Sequence, residues 1–277
     1  MWLSHLFRFP VKSLGGQALP SSPLEPRGLT GDRRWMVIDA RNRFITRRDV
    51  PAMALVDAVP AGATLTLSHP VLGSCVAAAP GAAAPVVDAV LWRDTVALRL
   101  GNDAADAFLS EALGRPVRLA HQFDASVRPV HPRHAQAGDH VSLADGYPLL
   151  VTTQASLAAL NARLATPVSM ARFRPNLVIA GTAAWAEDRW RTIRVGDAVL
   201  RIAAPCPRCL VVTQEPRTGE RTDGNEPLTT LRAMGRMAAG GIMFGQNAIP
   251  DGHGSLRVGD QVEVLAEGDS NVPPSIS

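Results

Sequence analysis

The chain has 277 residues, of which 46% are hydrophobic and 19% are charged, which predicts a folded protein of one large or two ordinary domains and excludes long disorder. The net charge of +3 is small and the arginines are scattered, so we expect no nucleic-acid partner. Three cysteines are too few for a disulfide scaffold or a four-cysteine iron–sulfur cluster, and any electrons must therefore come from a separate protein.

The sequence does not predict a targeting or membrane-spanning segment. Residues 1–8 lack the basic start, the long apolar middle and the cleavage site of a signal peptide. The longest weakly polar stretch, residues 71–92, is broken by Pro80 and Pro85 and interrupted by Asp88. We therefore expect a cytoplasmic protein without a membrane span.

The first hundred residues predict a mainly β region. Apolar residues alternate over residues 63–68 and 95–100, and residues 35–39 form a third apolar run bounded by polar residues. Asn102 is a suitable N-cap and Gly114 a suitable stop, so we expect one short helix between them.

The second half predicts strands around one further helix. We place the domain junction in the polar, proline-containing stretch 123–138. Residues 147–151 predict a strand that runs into Thr153, which would cap a helix whose leucines recur at helical spacing. Closely spaced strands of this kind suggest a barrel, and the remaining predicted strands are residues 176–180, 198–203, 210–213 and 261–265.

Lys12 is the only lysine among 28 basic residues. A drift of composition toward arginine would explain that count, but a phosphate site that needs a compact ammonium would also retain one lysine. Residues 9–13 (FPVKS) form a proline-stiffened turn that presents Lys12 beside the Ser13 hydroxyl, a pair that suits a phosphate. Arginines also precede predicted strands in residues 31–35 (GDRRW) and 172–176 (RFRPN), although such motifs taken singly are more often solvated or salt-bridged turns.

Residues 206–209 (CPRC) are the candidate for a metal ligand. A zinc half-site would need a second pair of ligands, and Cys75 with His131 and His134 gives no convincing spacing. A thioredoxin-like couple would open a helix, whereas residues 210–213 predict a strand. Two interpretations remain: an exposed thiolate that holds a soft metal beside an arginine, or a pair of structural cysteines in a buried turn.

In this order the motifs resemble the MOSC family over nearly the whole chain, and within it the amidoxime-reducing branch and its bacterial counterparts. FPVKS and DRRW are similar to the N-terminal β-barrel domain of the family. The motifs similar to the MOSC domain itself are RFRPN at 172–176, AED at 186–188 with Trp190, CPRC at 206–209, EPL at 226–228, FGQN at 244–247 and VGD at 258–260.

The resemblance implies a mainly β fold with a few helices (α+β). An N-terminal β-barrel-like domain, residues 1–122, would pack on a MOSC β-barrel domain, residues 123–268, followed by a flexible tail, residues 269–277. A molybdenum cofactor, a molybdopterin that carries molybdenum, would lie between the two domains. Cys209 would ligate the metal and be the catalytic position. The resemblance assigns the grip on the cofactor to six residues: Lys12, Ser13 and Arg33 for the phosphate, Arg174 and Asn176 for the pterin, and Thr153 at the start of the predicted helix.

Two functions follow from the resemblance. One is a detoxifying oxidoreductase that removes oxygen from small N-oxygenated substrates, such as hydroxylamines, amidoximes and N-hydroxylated bases, with electrons from a separate flavin or iron–sulfur reductase. The other is a cofactor or sulfur carrier of the sulfurase type, in which Cys206 or Cys209 holds a persulfide. A degenerate member without cofactor is a third possibility. Pyridoxal phosphate, mentioned in family descriptions, would need a Schiff base on Lys12, which is assigned here to phosphate.

One departure from the family pattern concerns the segment after the ligand turn. Relatives commonly have a threonine pair and an aspartate there, and this chain has VTQE at residues 212–215. We therefore expect a different substrate preference.

Overall fold

A computed structural model describes residues 1–238 and 240–272, and these residues are mostly strands with a few helices. The helices are α1 (Asp103–Leu113), α2 (Gln154–Asn161) and α3 (Leu228–Ala233). The strands are β1 (Trp2–Arg8), β2 (Gln17–Leu19), β3 (Ser21–Glu25), β4 (Gly28–Leu29), β5 (Trp35–Ile38), β6 (Asp57–Ala61), β7 (Thr64–His69), β8 (Gly73–Ala78), β9 (Val86–Leu91), β10 (Asp94–Leu100), β11 (Arg118–His121), β12 (Leu149–Thr153), β13 (Leu177–Ala180), β14 (Trp190–Val195), β15 (Ala198–Arg208), β16 (Met237–Ala238), β17 (Gly241–Pro250), β18 (Gly254–Arg257) and β19 (Val262–Glu267). Short 3-10 turns span Pro51–Leu55, Met170–Phe173, Ala186–Asp188 and Leu210–Thr213.

The largest sheet closes into a barrel. Its strands run in the order β19-β14-β15-β17-β12-β13-β1-β2, with β16 beside β17. The amide of Leu3 donates to the carbonyl of Asp260 at 2.8 Å, and the amide of Val262 donates to the carbonyl of Met1 at 2.9 Å. These bonds join β1 to the start of β19, and the enclosed core is aliphatic around Trp190. The predicted barrel is confirmed, and its wall includes the first strand of the chain.

The N-terminal half builds a second β unit. Strands β5, β11, β10 and β9 form one sheet, and β6, β7 and β8 form another. Helix α1 packs its buried face, Ala105, Leu109 and Leu113, into the same core as the buried leucines of β7. Asn102 accepts the amide of Ala105 at 3.0 Å, and Gly114 ends the helix with a φ of 63°, a left-handed conformation that glycine adopts without strain. The helix predicted from these two cap residues is confirmed.

The segment after the ligand turn differs from the prediction. Residues Leu210–Thr213 form a 3-10 turn rather than a strand, and the Thr213 hydroxyl donates to the carbonyl of Leu210 at 2.8 Å. Three apolar residues and a threonine are too few to distinguish a strand from a helical turn by periodicity. Strand β15 is longer than predicted and contains Cys206, so the two cysteines lie at the end of a strand and the start of a turn.

The domain bounds 1–122 and 123–268 remain a prediction, and the sheets show how closely the two parts are joined. Strand β1 pairs with β13, and β3 pairs with β18, so the first strands of the chain pair with strands of the second half. Asn271 donates its amide to the carbonyl of Asp188 at 3.0 Å, so this part of the predicted tail is bound to the barrel, and residues 273–277 lie outside the described residues. No helix in the described chain has the length and apolar character needed to cross a membrane.

Candidate functional site

A cavity of about 150 Å³ lies where the N-terminal turns meet the second barrel. Six of the seven predicted site residues line it, together with Asp145, Tyr147, Cys206 and Arg208. The seventh predicted residue, Thr153, is not among the lining residues. The six are Lys12, Ser13, Arg33, Arg174, Asn176 and Cys209.

Backbone hydrogen bonds hold the two N-terminal motifs together. The amide of Lys12 donates to the carbonyl of Trp35 at 2.9 Å, and the amide of Arg33 donates to the carbonyl of Phe9 at 2.8 Å. The buried Asp32 carboxylate accepts the Phe9 amide at 2.8 Å and the Arg33 guanidinium at 2.7 Å. The turns of FPVKS and DRRW therefore form one unit that presents Lys12 and Arg33 on the same wall.

Three of the lining residues have left-handed backbone conformations. The φ angles are 69° at Ser13, 45° at Arg33 and 54° at Arg174. Non-glycine residues rarely adopt such angles, and each costs on the order of 1–3 kcal/mol. Strained residues of this kind cluster at binding sites, because the surrounding structure holds them where a ligand needs them.

Asn176 connects the two walls of the cavity. Its side-chain oxygen accepts the amide of Leu150 and the guanidinium of Arg33, both at 3.1 Å, and its side-chain nitrogen donates to the carbonyl of Phe7 at 3.2 Å. Arg33 also donates to the carbonyl of Arg174 at 3.3 Å. The Asn176 amide thus positions Arg33, and a role in binding a pterin stays a prediction.

Arg174 is a cation that the described residues do not neutralise. Its guanidinium lies 4.2 Å from the centre of the Phe9 ring and forms no ion pair within the described part of the chain. Burial lowers the pKa of Arg174 well below its ordinary value, and the nearby cations Arg47 and Arg33 lower it further. A half-buried cation without an ion pair favours an anionic ligand.

Lys12 has a partner at the mouth of the cavity. Its ammonium lies 2.5 Å from Asp145 Oδ1, and Trp92 Nε1 donates to the same oxygen at 3.1 Å. Burial lowers the pKa of Lys12, and the Asp145 carboxylate opposes that shift. The Lys12 side chain is 8% exposed and that of Asp145 is 74% exposed, so the lysine is fixed while the carboxylate borders solvent. Sequence reasoning missed Asp145 because it stands in no motif.

Two cysteines, Cys206 and Cys209, also line the cavity. Arg208 donates to Cys206 Sγ at 2.9 Å and to the carbonyl of Phe173 at 2.6 Å, and its buried Nε has no hydrogen-bond partner in the described structure. Burial raises the pKa of the Cys206 thiol, and Arg208 opposes that shift. Cys209 is exposed and begins the 3-10 turn. Cys209 is therefore the more accessible of the two sulfur atoms.

Thr153 lies in the core instead. Its hydroxyl oxygen accepts the amide of Ser156 at 3.1 Å, which caps α2 as the sequence predicts, and its hydroxyl donates to Glu187 Oε2 at 3.1 Å. Burial raises the pKa of Glu187 to about 7, the Ser156 and Thr153 hydroxyls oppose the shift, and the neighbouring Asp188 adds to it. The structure thus places Thr153 in a helix cap, away from the other six predicted residues.

A second cavity, of about 800 Å³, lies on the other side of Arg174. Phe7, Phe9 and Arg47 line it from the N-terminal half, and Arg217 lines it from the loop after the ligand turn. Arg174 lines both cavities. Within the described residues, no group of three or more His, Cys, Asp and Glu side chains is arranged to hold a metal ion.

Comparison with known proteins gives two family matches and several relatives. The MOSC N-terminal beta barrel domain matches residues 1–116, and the MOSC domain matches residues 138–263. The mitochondrial amidoxime-reducing component 1 of Mus musculus is 33% identical over 96% of this chain and 82% of that protein, and that of Homo sapiens is 30% identical over 96% and 83%. The molybdenum cofactor sulfurase of Danio rerio is 28% identical over 94% of this chain, which corresponds to 34% of that protein.

Proposed function

Because the chain belongs to the MOSC family, we propose that it is a molybdenum-cofactor-dependent oxidoreductase that reduces small N-oxygenated compounds. Hydroxylamines, amidoximes and N-hydroxylated bases are the proposed substrates, and a separate flavin or iron–sulfur protein is the proposed electron donor. The likeness to amidoxime-reducing components over nearly the whole chain supports this reaction class. The single observation that carries the proposal is one cavity lined by three cationic side chains, of which Arg174 has no ion pair among the described residues, together with the exposed thiol of Cys209.

The lining residues fit a molybdopterin. Its phosphate needs cations, and Lys12, Arg33 and Arg174 lie on the walls of the cavity. Its metal prefers a soft ligand, which Cys209 supplies. The buried Nε of Arg208 lacks a partner among the described residues and is available to an oxygen or nitrogen atom of the ligand.

In this proposal the side chains have separate tasks. Lys12, Ser13 and Arg33 bind the phosphate, Arg174 and Asn176 bind or position the pterin, and Cys209 binds the metal. When bound, the cofactor supplies the two-electron chemistry. The protein fixes the position of Arg33 on the cavity wall, because Asp32 and Asn176 accept hydrogen bonds from its guanidinium.

The experiment compares the wild type with Cys209→Ala and, as a matched control, Cys75→Ala. Cys75 lies in β8, away from the cavity. Each protein is produced in a host that makes the cofactor, and molybdenum and released pterin are measured per chain. Turnover of a panel of N-hydroxylated compounds is then measured with a chemical electron donor. We expect near-stoichiometric metal and turnover in the wild type and in Cys75→Ala, and loss of both in Cys209→Ala.

Two results would contradict the proposal. If the wild-type protein carries neither molybdenum nor pterin, Cys209 is not the ligand of a molybdenum cofactor. Wild-type protein that carries the cofactor but leaves every compound of the panel unchanged would remove the reductase function.

A second candidate function is a cofactor or sulfur carrier of the sulfurase type. The observation that favours it is Cys206, which lines the same cavity with its sulfur 2.9 Å from an Arg208 nitrogen, a cation suited to stabilising a persulfide anion. The likeness to a molybdenum cofactor sulfurase points the same way. Mass spectrometry after incubation with a sulfur donor tests it: a persulfide on Cys206 or Cys209, without reductase turnover, would favour the carrier.

A further inference from the structure

Tyr147 is the only tyrosine of the chain and lines the same cavity as Cys209. Its ring packs against the buried cluster of Val130, Val141 and Ile249. Its hydroxyl oxygen lies 2.6 Å from Nδ1 of His134, a distance typical of a strong hydrogen bond. The phenol is therefore held in a fixed position in the cavity wall.

His134 connects this phenol with the solvent. The imidazole is half-buried, and the described residues offer no hydrogen-bond partner to its Nε2. The ring of His131 lies beyond it, with 6.3 Å between the ring centres. Because one nitrogen of the His134 imidazole faces the phenol and the other is left for water, His134 and Tyr147 form a short path for a proton from solvent to the cavity.

We propose that Tyr147 donates a proton to the leaving oxygen of the N-oxygenated substrate and is reprotonated from solvent through His134. This inference rests on the function proposed above and names the proton donor of that reaction. It rests on the place of Tyr147 in the cavity wall and on its hydrogen bond to His134.

The reaction balances as R₂N–OH + 2 e⁻ + 2 H⁺ → R₂NH + H₂O. The N–O bond breaks, the flavin or iron–sulfur donor is the source of the electron pair, and the oxygen leaves as water. Tyr147 supplies one proton to that oxygen, and solvent supplies the second to nitrogen. The phenolate then takes the Nδ1 proton of His134 while Nε2 takes a proton from water, which restores the starting state.

The charged groups around the pair favour this direction of transfer. Burial raises the pKa of Tyr147, Arg133 opposes the shift, and Cys206 adds to it, so the phenol carries its proton at neutral pH. Burial lowers the pKa of His134, and Arg133 and His131 lower it further, so the imidazole is neutral and can pass a proton on. A positioned general acid of this kind contributes about 10²–10⁴-fold to a rate.

The first part of the test measures turnover of an N-hydroxylated base with a reduced viologen dye as electron donor. The variants are Tyr147→Phe, which keeps the ring and removes the proton, and His134→Gln. His131→Gln is the matched control, because it changes a neighbouring exposed imidazole whose ring centre lies 6.3 Å from that of His134. We expect kcat to fall about 100-fold in Tyr147→Phe and about 10-fold in His134→Gln, with unchanged KM and unchanged molybdenum content. His131→Gln should behave as the wild type.

The second part does not depend on turnover. Since the chain has one tyrosine, the tyrosinate absorbance of cofactor-free protein reports the ionisation of Tyr147 alone. We expect its apparent pKa to move by about half a pH unit or more in His134→Gln, and to stay at the wild-type value in His131→Gln. An unchanged value in His134→Gln would show that the two side chains are not hydrogen-bonded in solution and would overturn the relay.

The possible failures are distinguishable. If the cofactor-loaded wild type reduces no N-hydroxylated compound, the proposed function fails and the relay fails with it. If the wild type is active and Tyr147→Phe keeps its kcat, the relay alone is overturned and the reductase function stands.

Discussion

Two groups of charged side chains, one buried and one half-buried, differ in whether the chain itself neutralises them. In the acidic cluster, Glu187 and Asp188, the Asp188 carboxylate accepts hydrogen bonds from Arg236 at 2.6 and 3.0 Å and from Gln246 at 2.8 Å. In the cavity, Arg174 stacks on an aromatic ring and forms no ion pair among the described residues. Asp188 is therefore neutralised within the fold, although Glu187 Oε1 and Arg236 Nε have no hydrogen-bond partner among the described residues, whereas the Arg174 cation is left to solvent or a ligand.

The comparison shows that belonging to a family motif does not distinguish a binding residue from a structural one. The AED and FGQN motifs contribute Asp188 and Gln246 to the acidic cluster, while the RFRPN motif contributes Arg174 to the cavity. The resemblance assigns Thr153 to the cofactor, yet its hydroxyl is used by the cap of α2 and by Glu187. Asp188 and Gln246 differ from Arg174 in that their side chains already have charged or polar partners within the fold.

The largest expected effect comes from breaking the ion pair of the acidic cluster. Asp188→Ala leaves the Arg236 guanidinium buried without its carboxylate, which costs about 3–5 kcal/mol of unfolding free energy. Arg174→Met in the cavity removes a half-buried cation that has no ion-pair partner among the described residues and keeps a side chain that packs on Phe9, so we expect a change within about 1 kcal/mol or a gain in stability. Urea unfolding of the cofactor-free proteins measures both. If Arg174→Met loses as much unfolding free energy as Asp188→Ala, the two groups of charged side chains do not differ in how far the fold neutralises them.

The next effect is a dependence of stability on pH. The pKa of Glu187 is raised from 4.5 to about 7, so folding favours its protonated form. Its contribution is full below about pH 4.5 and is lost as the pH rises through 7, which amounts to about 3 kcal/mol. Glu187→Gln should remove this part of the slope in unfolding experiments across that range. The exposed Glu111→Gln is the control, and a wild-type slope that persists in Glu187→Gln would mean that another group causes it.

The smallest effect concerns Thr153 and sharpens the comparison most directly. Thr153→Val keeps the shape of the side chain and removes the cap of α2, which costs about 1 kcal/mol, whereas Thr153→Ser keeps the hydroxyl and should be closer to the wild type. Molybdenum and pterin per folded chain should be unchanged in both variants. If Thr153→Val folds but loses the cofactor, Thr153 belongs to the cavity after all, as the resemblance implies.

The sequence predicted local structure correctly where a residue type is compatible with few backbone conformations. Asn102 and Gly114 bound a helix because an amide cap and a left-handed glycine are specific signals. The alternating leucines of residues 63–68 predicted β7, because alternation of apolar and polar residues is specific to a half-buried strand. The strand predicted at residues 210–213 was wrong because a run of three apolar residues and a threonine fits a strand and a 3-10 turn equally.

The sequence by itself determined the β-rich class, the family motifs and six of the residues that line the cavity. Only the tertiary structure decided which polar atoms already have partners. It placed Asp145 beside Lys12, more than a hundred positions away in the sequence, and Tyr147 in the same cavity as Cys209, about sixty positions away. It also placed Thr153 in the core. The physical reason is that the cost of burying a polar group depends on the neighbours that folding supplies, and those neighbours are distant in the sequence.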